Sequence, residues 1–178
     1  MTVNTPRRAS VAIRSAEVAD AAALLAIYAP FVARTPVSFE TTVPSADEFA
    51  ARIRRSNSRW AWLVAERAGV VLGYAYGTAH RERAAYRWSV ETSAYVDPAH
   101  QRQGVGSTLY CALFERLIAL GYCNAYAGIT LPNPASVALH ERLGFQPIGV
   151  FRRIGRKFGA WHDVAWLQRP LRDAPLAE

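Results

Sequence analysis

Residues 95–120, YVDPAHQRQGVGSTLYCALFERLIAL, constrain the fold of this chain more than any other stretch. A strand ending in Tyr-Val-Asp-Pro runs into a glycine-bearing turn. A long helix follows, with Val105, Leu109, Leu113, Leu117 and Leu120 at helical spacing. Between strand and helix, Gln101-Arg102-Gln103-Gly104-Val105-Gly106 places two glycines where the helix begins. The first N–H groups of a helix have no partner inside it and sit at the positive end of its dipole. Such a turn suits a phosphate or pyrophosphate. Glycine helps because a Cβ would hold the backbone away from the anion. The plain alternative is a glycine turn that only starts a helix. The Gly-Lys-Ser/Thr ending of a P-loop is missing, and the glycine spacing is not that of the dinucleotide fingerprint.

The remaining punctuation implies one mixed sheet. Residues 11–14 read as a strand, and 21–32 as a helix whose end Pro30 interrupts. Residues 34–44 are loop-like. Ser45 with Glu48 forms a capping box that opens a second helix to about Arg55. Residues 60–65 and 70–76 make a hairpin around Arg67-Ala68-Gly69, residues 88–96 the next strand, and 124–130 another. Asn133 and Pro134 start a short helix closed by Gly144, and residues 147–153 and 161–168 supply the last two strands. This order predicts an α/β (α+β) domain over 11–170 with helices on both faces of the sheet, and flexible tails at 1–10 and 171–178.

A length of 178 residues suits a single core. The net charge of +7 raises the question of an anionic partner. The arginines are spread along the chain with no basic run, which argues against nucleic acid and fits a polyanionic small molecule or a solvated basic surface. Cys111 and Cys123 form neither a disulfide framework nor a metal site. The N-terminus shows no signal-peptide pattern and no window reaches membrane-spanning length, so the expectation is a cytoplasmic protein with no metal and no membrane partner.

The Gln-x-x-Gly-x-Gly turn resembles the acyl-CoA loop of the GNAT superfamily of N-acetyltransferases. The segment 133–145, NPASVALHERLGF, resembles that family's Asn-x-x-Ser helix with its Leu-Gly-Phe ending. Residues 88–96, WSVETSAYV, and 157–164, KFGAWHDV, are similar to one branch of it: the phosphinothricin and methionine sulfoximine/sulfone N-acetyltransferases. The resemblance spans roughly Ile13 to Gln168. It implies the GNAT fold, a mixed, mostly antiparallel sheet of six to seven strands splayed where acetyl-CoA enters, and a homodimer. Two segments depart from the branch, Thr35-Pro36-Val37-Ser38-Phe39-Glu40 and Arg81-Glu82-Arg83-Ala84-Ala85-Tyr86, and both bear on the acceptor rather than the donor.

Roles follow residue by residue. Amine acetylation needs a neutral nitrogen, so a base must remove a proton. The resemblance assigns this to Glu91; from position alone Glu91 reads equally as an arginine partner on an open sheet face. His140 lies one helical turn after Ser136 and would assist the departing thiolate, where a lone helical histidine is otherwise a packed residue. Asn133 would bind the pantetheine arm while also capping its helix. Ala94, Tyr95 and Val96 would offer backbone groups to that arm. Gln101, Arg102, Gln103, Gly104, Val105, Gly106 and Ser107 would cradle the pyrophosphate. For an acceptor with anionic ends, Phe39, Arg83 and Tyr86 are the pocket candidates, since arginine pairs bidentately with carboxylate or phosphinate. Rival readings are a GNAT enzyme for a polyamine, aminoglycoside or protein N-terminus, and a non-catalytic acyl-CoA- or RNA-binding module.

Overall fold

One parallel joint in an otherwise antiparallel sheet decides where a ligand can enter this molecule. The computed structural model describes residues 10–173, so the expected tails lie largely outside the described residues. Seven strands form one sheet: β1 (Ala12–Ser15), β2 (Trp62–Arg67), β3 (Val70–Ala79), β4 (Ser89–Val96), β5 (Asn124–Thr130), β6 (Gln146–Lys157) and β7 (Ala160–Pro170). Their spatial order is β1-β2-β3-β4-β5-β7-β6. Four helices accompany them: α1 (Ala21–Arg34), α2 (Ala46–Asn57), α3 (Val105–Ala119) and α4 (Pro134–Arg142). The expected mixed, mostly antiparallel sheet with helices on both faces is therefore what the chain forms.

Local chemistry sets the element ends. Ser45 accepts from the Glu48 N–H while the Glu48 carboxylate accepts from Ser45 N, closing the capping box of α2. Ala68 and Gly69 both have positive φ, as a tight two-residue hairpin turn requires, and Phe158 and Gly159 repeat the device between β6 and β7. That last hairpin is longer than the sequence reading gave it. Pro30 does not end α1 either, since the helix runs on to Arg34. A helical proline deletes one N–H···O bond. Here the neighbouring Tyr28 and Val32 are buried against the sheet, which keeps the last turn in place.

Each sheet face carries its own core. On one, α3 buries Val105, Leu109, Tyr110, Leu113, Phe114 and Leu117 against Leu63, Ala75, Val90, Ala125 and Leu167. On the other, α1 and α2 bury Leu24, Ile27, Tyr28, Val32, Phe49 and Ile53 against Trp62, Val64 and Tyr74. A fully buried large apolar side chain contributes roughly 1.5–3 kcal/mol, so six of them on α3 fix firmly the turn that precedes it. Leu171, assigned to a tail, still donates its N–H to the Cys123 carbonyl at 2.8 Å.

Candidate active site

Strands β4 and β5 pair only from Ser89–Glu91 against Asn124–Tyr126, although both run on for several residues. Beyond that point they part. From Thr92 to Val96, β4 keeps its ladder with β3 and leaves its other edge facing a gap. At the mouth of the gap the Thr92 hydroxyl donates to the Tyr126 carbonyl at 3.2 Å. The cleft is lined by Ala94, Tyr95, Tyr110, Gly128, Asn133 and His140 among others.

The glycine turn sits at the far end of the gap, where β4 gives way to α3. Asp97 caps a short 3-10 turn by accepting from Ala99 N, and Gln101 Nε2 and Gln103 Nε2 donate back to the carbonyls of Val96 and Ala99. Gly104 is left-handed at φ +83°, and a Cβ there would meet nothing within 4 Å. Its glycine is thus required by the backbone conformation rather than by crowding. Arg102 also has positive φ and points its exposed chain to solvent, while Arg67 donates to the Gln103 side chain at 3.3 Å.

Helix α4 closes one side. Asn133 Oδ1 accepts from Ser136 N at 3.1 Å, the capping role expected of it, and the residue also lines the cleft. His140 is only 5% exposed. Its Nδ1 lies 2.8 Å from the Ser136 carbonyl, and its Nε2 2.9 Å from the Tyr110 hydroxyl. A carbonyl can only accept, so Nδ1 carries the proton, and in the neutral ring Nε2 accepts from Tyr110. Burial holds His140 below the ordinary imidazole range, and the Ser136 carbonyl opposes that only in part. Both ring nitrogens are thus engaged within the protein. The hydrogen shared between Tyr110 and His140 belongs to Tyr110, a residue that nothing in the sequence alone singles out.

Glu91 stands on the other face of the sheet. Alternation groups it with Ser93 and Tyr95, whose ring packs among Tyr28, Phe31 and Tyr74, while Val90 and Ala94 face α3. The Glu91 Oε1 receives His80 Nδ1 and Arg81 NH1, each at 3.1 Å. The imidazole of His80 stacks on Tyr126 at 4.4 Å between centroids, with Tyr86 and Trp166 set edge-on to it. Tyr86 thus stands beside this cluster. Arg83 is exposed, and Arg81 rather than Arg83 reaches the carboxylate. Neither His80 nor Arg81 was singled out as a site residue; their clustering with Glu91 across the β3–β4 connection appears only in three dimensions.

Phe39 lies over β6 so closely that a Cβ on Gly155 would fall 2.2 Å from its ring, and it approaches His162 at 6.2 Å. The loop that carries it is pinned from two directions. Tyr28 donates to Glu40, which Arg52 holds with two hydrogen bonds, and buried Lys157 donates to the carbonyls of Val32 and Ser38, both at 2.6 Å. Trp161 is 52% exposed at the β6–β7 end. Among the described residues there is no cluster of three or more potential metal ligands, and no helix is long and apolar enough to cross a membrane.

Among the described residues the sheet thus parts at its single parallel joint, with a glycine turn and a helix at the open end. Residues 13–166 match the acetyltransferase (GNAT) domain, and the chain belongs to that family. It is an acetyltransferase of the phosphinothricin and methionine sulfoximine/sulfone branch. It is 43% identical over 165 residues to the phosphinothricin N-acetyltransferase of Streptomyces viridochromogenes, covering 93% of this chain and 90% of that one. With the L-methionine sulfoximine/L-methionine sulfone acetyltransferase of Pseudomonas aeruginosa it shares 40% identity over 171 residues, 93% of this chain and 99% of the other. The phosphinothricin acetyltransferase of Sinorhizobium meliloti, solved in complex with acetyl-CoA, superposes with a TM-score of 0.89 at 36% identity, covering 94% of this chain and 92% of its own.

Proposed function

We propose that this enzyme transfers the acetyl group of acetyl-CoA to the α-amino group of a small amino acid analogue of the phosphinothricin and methionine sulfoximine/sulfone class, directly within a ternary complex. The observation that carries this reading is the parting of β4 from β5 immediately after Glu91, with His140 and Tyr110 lining the same gap from the opposite face. Two chemical groups on opposite faces of a sheet can act on one reacting bond only where the sheet is open.

The fit to acetyl-CoA rests on the chain's own groups. The N-terminus of α3 and the left-handed Gly104 offer N–H groups to the pyrophosphate, together with Gln101, Arg102, Gln103, Val105, Gly106 and Ser107. The unpaired edge of β4 at Ala94, Tyr95 and Val96, with Asn133 and Ser136 across the gap, holds the pantetheine amides. Backbone N–H groups of that edge also stabilise developing negative charge on the carbonyl oxygen. Glu91 serves deprotonation of the acceptor amine. His140 assists the departing thiolate through Tyr110, whose one hydroxyl hydrogen turns from His140 Nε2 to the sulfur as the C–S bond breaks. Cys111 is exposed on α3 and Cys123 is buried; neither lines the gap, so transfer without an acyl-cysteine is the consistent route.

Arg81, Arg83, Tyr86 and Phe39 form the acceptor side, and their cationic character favours an acceptor with anionic ends over a polyamine or aminoglycoside. The outer strand β6 exposes Ile148, Phe151 and Ile154, an apolar face that a second copy of the chain would cover in a homodimer. The cytoplasm is the compartment where acetyl-CoA and such acceptors meet.

Thiol release from acetyl-CoA tests the reading against phosphinothricin, methionine sulfoximine, methionine sulfone, spermidine, an aminoglycoside and a short peptide. Saturable turnover with one of the first three is expected. Turnover restricted to the cationic acceptors would overturn the acceptor class and leave the donor intact.

A further inference from the structure

We infer that His80, held by Glu91, is the group that takes the proton from the acceptor ammonium, so that Glu91 orients and charges the base rather than acting as the base itself. The inference rests on the acyl transfer proposed above and adds to it the identity of the proton acceptor.

Three observations on the Glu91 face carry it. First, Oε1 of Glu91 is occupied twice, by His80 Nδ1 and by Arg81 NH1, each at 3.1 Å. Both donors, one of them a guanidinium, are directed at that one oxygen, so its lone pairs face His80 and Arg81 rather than open space. Second, a carboxylate beside Nδ1 places the ring proton there and leaves the Nε2 lone pair free. Nε2 has no hydrogen-bond partner among the described residues, nor is it one of the buried unpaired polar atoms, so it opens onto accessible space. Third, the ring cannot swing away. It lies flat on Tyr126 with an interplanar angle of 16°, and Tyr86 and Trp166 stand edge-on at 5.8 and 6.2 Å. The His80 side chain is 14% exposed against 30% for Glu91, so it is the better sheltered of the two yet keeps one nitrogen accessible.

This is the carboxylate–imidazole pairing that makes histidine an efficient base near neutral pH, with the carboxylate fixing the tautomer and balancing the imidazolium. The charge and proton balance closes. One ammonium N–H breaks and its proton passes to Nε2, while Nδ1–H stays on Glu91. The freed lone pair forms the amide bond as the C–S bond breaks, the second nitrogen proton accounts for the thiol, and the imidazolium returns its proton to solvent. Tyr86, edge-on to the ring and already an acceptor-side candidate, sets the substrate within reach of Nε2.

The test uses wild-type enzyme, His80→Phe and His80→Gly with phosphinothricin as the probe acceptor, together with acetyl-CoA binding by calorimetry. His80→Phe keeps a flat ring on Tyr126 but has no base. It is expected to bind acetyl-CoA within about twofold of wild type and to lose on the order of 10²-fold in kcat, the usual worth of a general base. His80→Gly is expected to recover at least about tenfold of its lost rate when free imidazole is added, an effect that repair of packing alone would not give. A His80→Phe enzyme with wild-type turnover overturns the inference and leaves the acyl-transfer reading standing. Loss in both variants without imidazole rescue also overturns it, since His80 would then act through packing. No turnover by wild type with any amine overturns the acyl-transfer reading and this inference together.

Discussion

The two faces of the sheet at the splay are built from different materials. On the α3 face the groups are backbone and sealed side chains: a left-handed glycine, the first turn of a helix locked by six buried residues, and a histidine with both nitrogens engaged. On the α1/α2 face Glu91 and Arg81 are ionic and partly exposed around a sheltered His80, with Arg83 and Tyr86 in the connection between β3 and β4. The first arrangement would suit recognition of something constant, with the means of recognition buried. The second offers charges that water can reach and that a different acceptor can re-pair. One donor and a variable acceptor would call for this division.

Substitutions that strike one face and spare the other would break or sharpen the comparison. The largest effect is expected from Glu91→Gln, which keeps the shape but gives up the charge that pairs His80 and Arg81. Turnover should fall on the order of 10²- to 10⁴-fold while calorimetry shows acetyl-CoA binding unchanged. A matching loss of acetyl-CoA affinity would mean that the two faces are not separable.

Gly104→Val should act in the opposite sense. A side chain forced into the left-handed region costs about 1–2 kcal/mol. If the turn moves to relieve that strain, the KM for acetyl-CoA should rise about tenfold, since 1.4 kcal/mol is one decade, with kcat and acceptor KM little altered. An unchanged acetyl-CoA KM would remove the turn from the binding site.

The smallest effect concerns stability. Because burial lowers His140, the unfolded chain takes up this proton before the folded one as pH falls through the ordinary imidazole value of 6.5. The unfolded state then binds more protons, so His140 makes stability decline from above neutrality toward acid, down to the lowered folded value. Thermal midpoints measured from pH 8 to pH 5 should slope downward in wild type and less steeply in His140→Gln. Equal slopes would mean that His140 is not held neutral.

Much of the local structure on the α3 side of the gap was legible because its signals are local. Gly104 and Gly106 lie within one turn, the apolar spacing of α3 repeats every three or four residues, and Asn133 with Ser136 and His140 falls on one short helix. The capping box at Ser45 and Glu48 was equally local and formed as expected. Pro30 misled because burial of its helical neighbours outweighs one missing hydrogen bond. Tyr110 was hidden by its place in the apolar stripe of α3; only the arrival of α4, thirty residues on, gives its hydroxyl a partner. The pairing of Arg81 with Glu91 was not legible, because nothing in an arginine-rich loop tells which side chain meets a carboxylate on the next strand.

By itself, then, the sequence determined the fold, the glycine turn before α3 and the position of Glu91 on a strand, since each depends on residues within a few places of one another and on periodicities of two or 3.6. Tertiary structure decided which groups surround Glu91 and His140. Those partners come from separate strands and helices, and their hydrogen bonds exist only once the two cores have closed on the sheet and its one parallel joint has opened.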